Sequence, residues 1–155
     1  MLIHVEDNQT DLAIDILTVK KIVDTVIAYE GRTCDEVSIY FVDMPQICAI
    51  HEQFFDDASP TDCISFPMDE PDEEGHLILG DIFVCPEAAI DYTASNGNNP
   101  FRETTLYIVH GLLHLMGYDD IEEEEQSAMR DAEKRHMDHL KKLGLVLTAP
   151  KETEN

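Results

Sequence analysis

Lysine and arginine are scarce in this chain: its 155 residues contain ten of them against 33 aspartates and glutamates, which gives a formal net charge of −23. The few cations are unevenly placed, because none occurs between Arg32 and Arg102, and five of the ten lie within residues 130–142. Sequence-independent binding of a nucleic acid needs Lys and Arg to displace counterions from phosphate. A polyanion would therefore have to bind through the final helical segment or through a surface that a partner supplies.

The chain also has no apolar run of the roughly 20 residues that a membrane-spanning helix needs. Its first residues form neither a basic region nor a long apolar stretch, so we expect a cytoplasmic protein with no membrane contact. The cysteines form no CxxC pair, which argues against a zinc ribbon and, without a secretory signal, against a disulfide framework. We expect buried, reduced thiols at the four cysteines, Cys34, Cys48, Cys63 and Cys85.

Hydrophobic periodicity, capping residues and turn residues divide the chain into strands and helices. The predicted strands span residues 2–6, 37–43, 63–66 and 77–84, and the predicted helices span residues 11–30, 45–55, 86–95, 102–116 and 122–143. That order predicts an α+β fold, with one domain over residues 1–147 in which a mixed four-stranded sheet packs with helices. We expect the acidic turn over residues 69–75 to be solvated and the tail over residues 148–155 to be disordered.

Potential metal ligands recur at close spacing in residues 110–120, which read HGLLHLMGYDD. His110 and His114 are four residues apart, so their imidazoles project from one face of a helix. Gly117 allows the chain to leave that helix through a left-handed turn, after which Asp120 returns as a third ligand. Three protein ligands leave a position for water, which is typical of a catalytic site. The spacing predicts one divalent ion, with zinc preferred.

The acidic residues after the helix have a second interpretation. Asp120 is also placed to act as the N-cap of the last helix, and Asp119 competes for either role. The other histidines have no comparable spacing. His136 and His139 are three residues apart in the last helix, and we expect them on its exposed face.

The pattern HxxxHxxGxxD has the ligand spacing of the metzincin proteases, but Gly111 stands where those enzymes carry the glutamate that acts as general base. The chain more fully resembles the YbeY family of bacterial endoribonucleases, whose signature is similar to HGxLHLxGYDH. Two further segments resemble the family in the same order along the chain. They are residues 59–67, which read SPTDCISFP, and residues 79–86, which read LGDIFVCP.

This resemblance implies a zincin-like metal-binding helix in a metal-dependent endoribonuclease that is specific for single strands. Such an enzyme would act in 16S rRNA 3′-end maturation and ribosome quality control. Its partners would be rRNA or ribosomal particles, with ribosomal or assembly proteins as further candidates. We expect the PTD segment and the strand over residues 77–84 to line the cleft, where an edge strand would align an extended substrate. No residue is identified as the general base, and Asp62 is the candidate.

Two residues depart from the family's pattern. Asp120 replaces a histidine that is usually the third ligand, and the harder carboxylate weakens the preference for zinc over other divalent ions. Phe55 stands at the equivalent of an arginine that is thought to contact the phosphate. Since no Lys or Arg occurs over residues 33–101, either Arg102 or the last helix contacts the phosphate, or catalysis is weaker in this chain.

Two other functions remain open. One is a ribosome-associated assembly module whose metal mainly stabilises the fold and whose nuclease activity is weak or absent. The other is a peptide hydrolase, which lacks its base at Gly111. Arg130, Lys134 and Lys141 share one face of the last helix, and that face is either a solvated surface with local ion pairs or a docking site for a polyanion.

Overall fold

Strands and helices alternate along the first half of the chain, and three helices complete it. The computed structural model describes residues 1–68 and 70–150, and that part of the chain contains four strands and five helices. The strands are β1 (Leu2–Asp7), β2 (Glu36–Phe41), β3 (Cys63–Pro67) and β4 (Ile78–Val84). The helices are α1 (Ile16–Tyr29), α2 (Met44–Phe55), α3 (Pro86–Ala94), α4 (Pro100–Leu115) and α5 (Glu123–Leu143). The predicted α+β class is confirmed.

The four strands form one mixed sheet in the order β1-β2-β4-β3. β1 pairs in parallel with β2, and β2 pairs in parallel with β4, where Ile39 lies opposite Ile82. β3 pairs antiparallel with β4. This order makes β3 an edge strand and places β4 inside the sheet.

Helix α4 packs at the centre of the molecule. It contacts β3, β4, α1, α3 and α5, and ten of its 16 residues are buried. Its apolar side chains, including Ile108, Val109 and Leu112, join the valines and isoleucines of α1 in one hydrophobic core. The second half of α4 is therefore held on several sides, which makes it a rigid support for side chains at its surface.

The start of α1 differs from the sequence prediction, because the helix begins at Ile16 and not near residue 11. The Gln9 side chain donates to the Leu12 carbonyl and accepts from the Leu12 N–H, which stabilises a turn in place of a first helical turn. Asp15 then acts as the N-cap by accepting from the Leu17 N–H at 3.1 Å. A side-chain hydrogen bond to the backbone thus competes with the helix.

The C-terminal segment packs onto the core as far as Leu147, whose side chain is buried and whose N–H donates to Thr105 Oγ1 at 3.1 Å. Residues 148–150 have no regular secondary structure, and residues 151–155 of the predicted tail lie outside the described residues, as does Asp69 of the acidic turn. The rest of that turn is exposed. Within the described chain, no helix has the length and apolar character needed to cross a bilayer.

The four cysteines are free thiols. Only Cys85 is buried, and burial raises its pKa to about 11. The other three are partly exposed, so the expectation of burial was wrong for them.

Candidate metal centre

Helix α4 presents His110 and His114 side by side near its C-terminal end. Their Nε2 atoms lie 3.1 Å apart, and the two rings meet edge to face with centroids 4.6 Å apart. Both side chains are partly exposed, at 29% and 22%. The spacing of four residues brings both rings to one face, as the helical period requires.

A tight turn after α4 brings a carboxylate back to the two imidazoles. Gly117 has φ +100°, and the Tyr118 N–H donates to the Leu113 carbonyl at 2.9 Å, so the helix ends in a Schellman motif. Asp120 Oδ2 then lies 3.6 Å from His114 Nε2 and 3.8 Å from His110 Nε2. The three potential ligand atoms all lie within 4.8 Å of one another.

The structure shows neither Asp120 as the N-cap of α5 nor Asp119 in the cluster of ligand atoms. The N-cap of α5 is Glu122, and its side chain makes no capping hydrogen bond. Asp120 therefore does not cap the helix. Asp119 is exposed and does not belong to the cluster of ligand atoms.

The cluster has the dimensions of a tetrahedral metal site. Zinc bonds of 2.0–2.2 Å at tetrahedral angles place neighbouring ligand atoms about 3.3–3.6 Å apart. The three distances among His110 Nε2, His114 Nε2 and Asp120 Oδ2 are 3.1, 3.6 and 3.8 Å, which bracket that range. Two imidazoles and one carboxylate are ligands for zinc and for other borderline divalent ions. The residues present therefore fit such an ion.

Glu133 on α5 fixes the orientation of one histidine of the cluster. His110 Nδ1 donates to Glu133 Oε1 at 2.7 Å, so Nε2 keeps a lone pair directed at the other ligand atoms. Burial alone would lower the pKa of His110, but the hydrogen bond and charge of Glu133 outweigh it and raise that pKa. Sequence reasoning missed Glu133. The available signal was an acid at the edge of the apolar stripe that contains Met129 and Ala132.

Glu30, the C-cap residue of α1, ties the turn after α4 to α5. Its carboxylate accepts three side-chain donors. The Tyr118 hydroxyl donates to its two oxygens at 3.2 and 3.3 Å, and Arg135 Nη2 donates at 3.1 Å. His136 Nε2 donates at 2.6 Å. These contacts hold Tyr118, two residues before Asp120. His136 is 1% exposed, so the prediction of an exposed-face histidine was wrong. It faces α1 because α5 packs there, a contact that sequence spacing does not reveal.

Gly111 stands where the metzincins carry their glutamate base, and close packing leaves no space for a larger side chain there. A Cβ atom at Gly111 would lie 2.7 Å from Ile82 Cγ2 and 3.1 Å from Cys63 Sγ. Helix α4 lies close against the sheet here, and a glutamate would not fit without displacing the helix.

An open cleft of about 390 Å³ lies over the cluster. Its lining residues are His51, Phe55, Thr61, Asp62, Cys63, Ile64, Ser65, His110, His114 and Asp120. The PTD segment thus lines the cleft as expected, through Thr61 and Asp62. The expectation that the strand over residues 77–84 lines it was wrong, because the edge strand β3 takes that place. Asp62 is exposed on the cleft wall.

No Lys or Arg lines the cleft among the residues that the structure describes. Phe55 is 54% exposed there. Arg102, Arg130, Lys134 and Lys141 are exposed but lie outside the cleft lining. A phosphate held by an arginine or lysine would therefore have to extend beyond the cleft.

Known proteins resemble this chain over almost all of its length. The sequence model of the family described as Endoribonuclease YbeY matches residues 4–141. Endoribonuclease YbeY of Protochlamydia amoebophila (strain UWE25) is 53% identical over 147 residues, which cover 95% of this chain and 98% of that protein. Endoribonuclease YbeY of Chlamydia pneumoniae is 35% identical over 151 residues, which cover 95% of this chain and 96% of that protein.

A solved structure supports the fold. The solution structure of TM1509 from Thermotoga maritima matches with a TM-score of 0.63 at 21% sequence identity, and the match covers 98% of this chain and 100% of that one. The sequence matches and the shared architecture agree with the three motifs at residues 59–67, 79–86 and 110–120. The chain belongs to the YbeY family of endoribonucleases.

Proposed function

We propose that the protein is a metal-dependent endoribonuclease that cleaves single-stranded RNA in 16S rRNA 3′-end maturation and ribosome quality control. It would work in the cytoplasm as one domain over residues 1–147. The observation that carries this proposal is the convergence of His110, His114 and Asp120 within 4.8 Å beneath an open cleft. Membership of an endoribonuclease family supplies the class of reaction.

The side chains of the cleft have separable roles in this proposal. A divalent ion, with zinc preferred, would supply Lewis acidity toward a phosphoryl oxygen and toward water. His110, His114 and Asp120 would hold that ion, and Glu133 would keep the His110 ring oriented through its 2.7 Å hydrogen bond. Asp62 would accept the proton of the water that attacks the phosphorus, while the bond from phosphorus to the leaving ribose oxygen breaks.

The negative charge of the molecule limits how strongly it can bind free RNA. With a net charge of −23 and no Lys or Arg in the cleft lining, free RNA is expected to bind weakly. We therefore propose that rRNA is met within ribosomal particles, where ribosomal or assembly proteins contribute affinity.

Loss of one ligand tests the metal site and the activity together. His114→Ala should lose the bound ion and the cleavage of single-stranded RNA, because two ligands remain for a site that needs three. Elemental analysis after purification without chelator or histidine tag should find about one divalent ion per wild-type chain. His4→Ala is the matched control, since His4 is an exposed histidine on β1 that contacts Glu36. Equal metal content in the His114 variant would contradict the proposal.

An assembly module with a structural metal is less favoured. Three protein ligands next to an open cleft leave a position for water, whereas structural zinc sites are closed by four protein ligands. A nuclease assay with metal-replete protein, compared with co-sedimentation with ribosomal particles, separates the two functions. A protein that co-sediments but does not cleave would favour the module. A peptide hydrolase is disfavoured by Gly111, where packing against Ile82 leaves no space for a base.

A further inference from the structure

An exposed aromatic ring lies in the cleft beside the candidate metal ligands. Phe55 is the last residue of α2, and its side chain lines the same cavity as His110, His114 and Asp120. The side chain is 54% exposed, although a phenylalanine in a folded protein is usually buried. A large apolar ring that stays open to solvent inside a reaction cleft has a surface available for a ligand.

The ring is held in place by its neighbours. It lies nearly parallel to Phe66, with centroids 6.2 Å apart and an interplanar angle of 22°, and the His51 ring lies 5.6 Å away. Directly after it, Asp56 adopts the left-handed conformation with φ 54°, which ends α2. The His51 ring is itself fixed, since its Nδ1 donates to the Ser59 carbonyl at 2.9 Å. Phe55 is thus preorganised, so binding a flat ligand would order few groups.

Charge limits what can bind in the cleft. No Lys or Arg lies among the residues that line it, and Asp62 and Asp120 are part of its wall. The electrostatic term that usually holds a polyanion is therefore absent at this place. Stacking of a base on an aromatic ring needs no protein charge and is the other main source of affinity for single strands.

We propose that Phe55 stacks on a base of single-stranded RNA and so positions the adjoining phosphate over the cluster of His110, His114 and Asp120. This inference rests on the proposed function, because it concerns the substrate of the same cleft. It also gives a reason for single-strand specificity, since the faces of bases inside a duplex are already stacked and cannot reach the ring.

The chain contains no tryptophan, which allows a direct test. In Phe55→Trp the indole becomes a unique fluorophore in the cleft, and stacking on a base should quench it. Phe54→Trp is the matched control, because Phe54 is the preceding residue on α2 and is 57% exposed but does not line the cleft. Its ring also packs against Phe66, with ring centroids 4.8 Å apart. Each variant is titrated with a single-stranded RNA of about ten nucleotides and with an abasic strand of equal length and charge.

We expect the RNA, but not the abasic strand, to quench Phe55→Trp, and we expect a much smaller response from Phe54→Trp. In a parallel measurement with labelled RNA, Phe55→Leu should bind about 5- to 150-fold more weakly than wild type, because leucine retains apolar area but offers no ring for stacking. Phe54→Leu should bind like wild type. Thermal unfolding of all four variants identifies any that fail to fold, and the substitutions to Trp and to Leu test the inference independently.

Other outcomes would overturn the inference. They are equal quenching at both positions, quenching by the abasic strand, or unchanged RNA binding in Phe55→Leu. Another such outcome is quenching of Phe55→Trp that depends on protein concentration and needs no RNA, together with a dimer in sedimentation. That result would mean that the ring contacts a second copy of the chain. Failure of the proposed function gives a different result, namely RNA binding that depends on Phe55 without any cleavage. Conversely, cleavage with an unchanged KM in Phe55→Leu would leave the function and remove the stacking role.

Discussion

The third position of the ligand cluster is a carboxylate, and its surroundings bear on which ion is preferred. Asp120 Oδ2 faces the two imidazoles at 3.6 and 3.8 Å, and Glu122, not Asp120, occupies the N-cap position of α5. A carboxylate is a harder ligand than an imidazole and adds negative charge. This one residue should therefore shift the site away from zinc and toward harder divalent ions.

Exchange of Asp120 should change metal selectivity in a defined direction. Asp120→His should retain the ion and favour zinc more strongly, whereas Asp120→Asn should weaken binding of every divalent ion because the charged ligand is lost. Competition titrations with zinc and manganese measure both effects. Full metal affinity in Asp120→Asn would instead mean that the Asp120 carboxylate is not a ligand of the ion.

Glu133 should matter for metal affinity although it is not a ligand. Glu133→Gln removes the charge that orients His110, and we expect metal affinity to fall about 10- to 100-fold with the fold unchanged. Isothermal titration with zinc provides the measurement. Glu124→Gln is the control, since Glu124 is exposed in the first turn of the same helix. Equal affinities of the two variants would show that the hydrogen bond to His110 does not support the site.

Helix α4 carries the cluster, and its distance from the sheet depends on Gly111. The ideal Cβ position there is 2.7 Å from Ile82 Cγ2, closer than side chains tolerate. In an open helix a glycine-to-alanine change would stabilise by about 1 kcal/mol. Here the same change should move the helix outward, together with the histidines on either side of the contact.

Gly111→Ala should therefore destabilise the protein, by about 1–3 kcal/mol, as overpacking of a core does. The free energy of unfolding from urea titration measures this effect. Ser127→Ala, on the exposed part of α5, is a control for helix propensity and should be neutral or slightly stabilising. Higher stability in Gly111→Ala would mean that the contact between α4 and the sheet is looser than the distances indicate.

Helices α1 and α5 meet at a buried histidine that should make stability depend on pH. Burial lowers the pKa of His136, although the hydrogen bond to Glu30 opposes this shift. Among the described residues its Nδ1 has no hydrogen-bond partner, so a second proton there would be unsatisfied. The folded state thus resists protonation, while an unfolded chain protonates near pH 6.5.

Because the folded pKa lies below the unfolded one, the stability linked to His136 is present above about pH 6.5 and is lost as the pH falls toward the folded pKa. We expect the thermal midpoint of the wild type to fall between about pH 7.5 and pH 5.5 by more than that of His136→Gln, which retains a donor for Glu30. Calorimetry at both pH values gives the comparison. The same loss in both proteins would show that His136 does not titrate between those pH values.

Over the whole molecule, acidic side chains line the cleft, whereas a group of exposed cations lies on one side of α5. Arg130, Lys134 and Lys141 are exposed on one side of that helix. Arg135 is engaged elsewhere, because it donates to Glu30 at 3.1 Å. A polyanionic partner would meet repulsion at the cleft and attraction at this basic face of α5.

Changing Arg130, Lys134 and Lys141 together to Gln should weaken association with RNA or ribosomal particles. If all three contact phosphates, the slope of log affinity against log salt should become shallower by about 2. Fluorescence polarisation or co-sedimentation over a salt series measures the slope. Lys20→Gln with Lys21→Gln on the exposed side of α1 controls for net charge. An unchanged slope in the triple variant would leave the basic face as a solvated surface.

Features that depend on neighbouring positions could be read directly from the chain. The helical period predicts that His110 and His114 share a face, and the glycine at position 117 predicts the turn that returns Asp120 to them. Pro45 likewise marks the first turn of a helix that the structure begins at Met44. Hydrogen bonds and dihedral preferences in these features act over a few residues, so the linear pattern contains them.

Features that depend on which surfaces meet came from the folded molecule alone. Glu133 reaches His110 across 23 positions, and His136 reaches Glu30 across 106, while the sheet order places β4 inside and β3 at the edge of the cleft. Even the start of α1 depended on one competing side chain, Gln9. The linear pattern marks a helix face as apolar or polar, but partner choice follows from the packing of all such faces against one core.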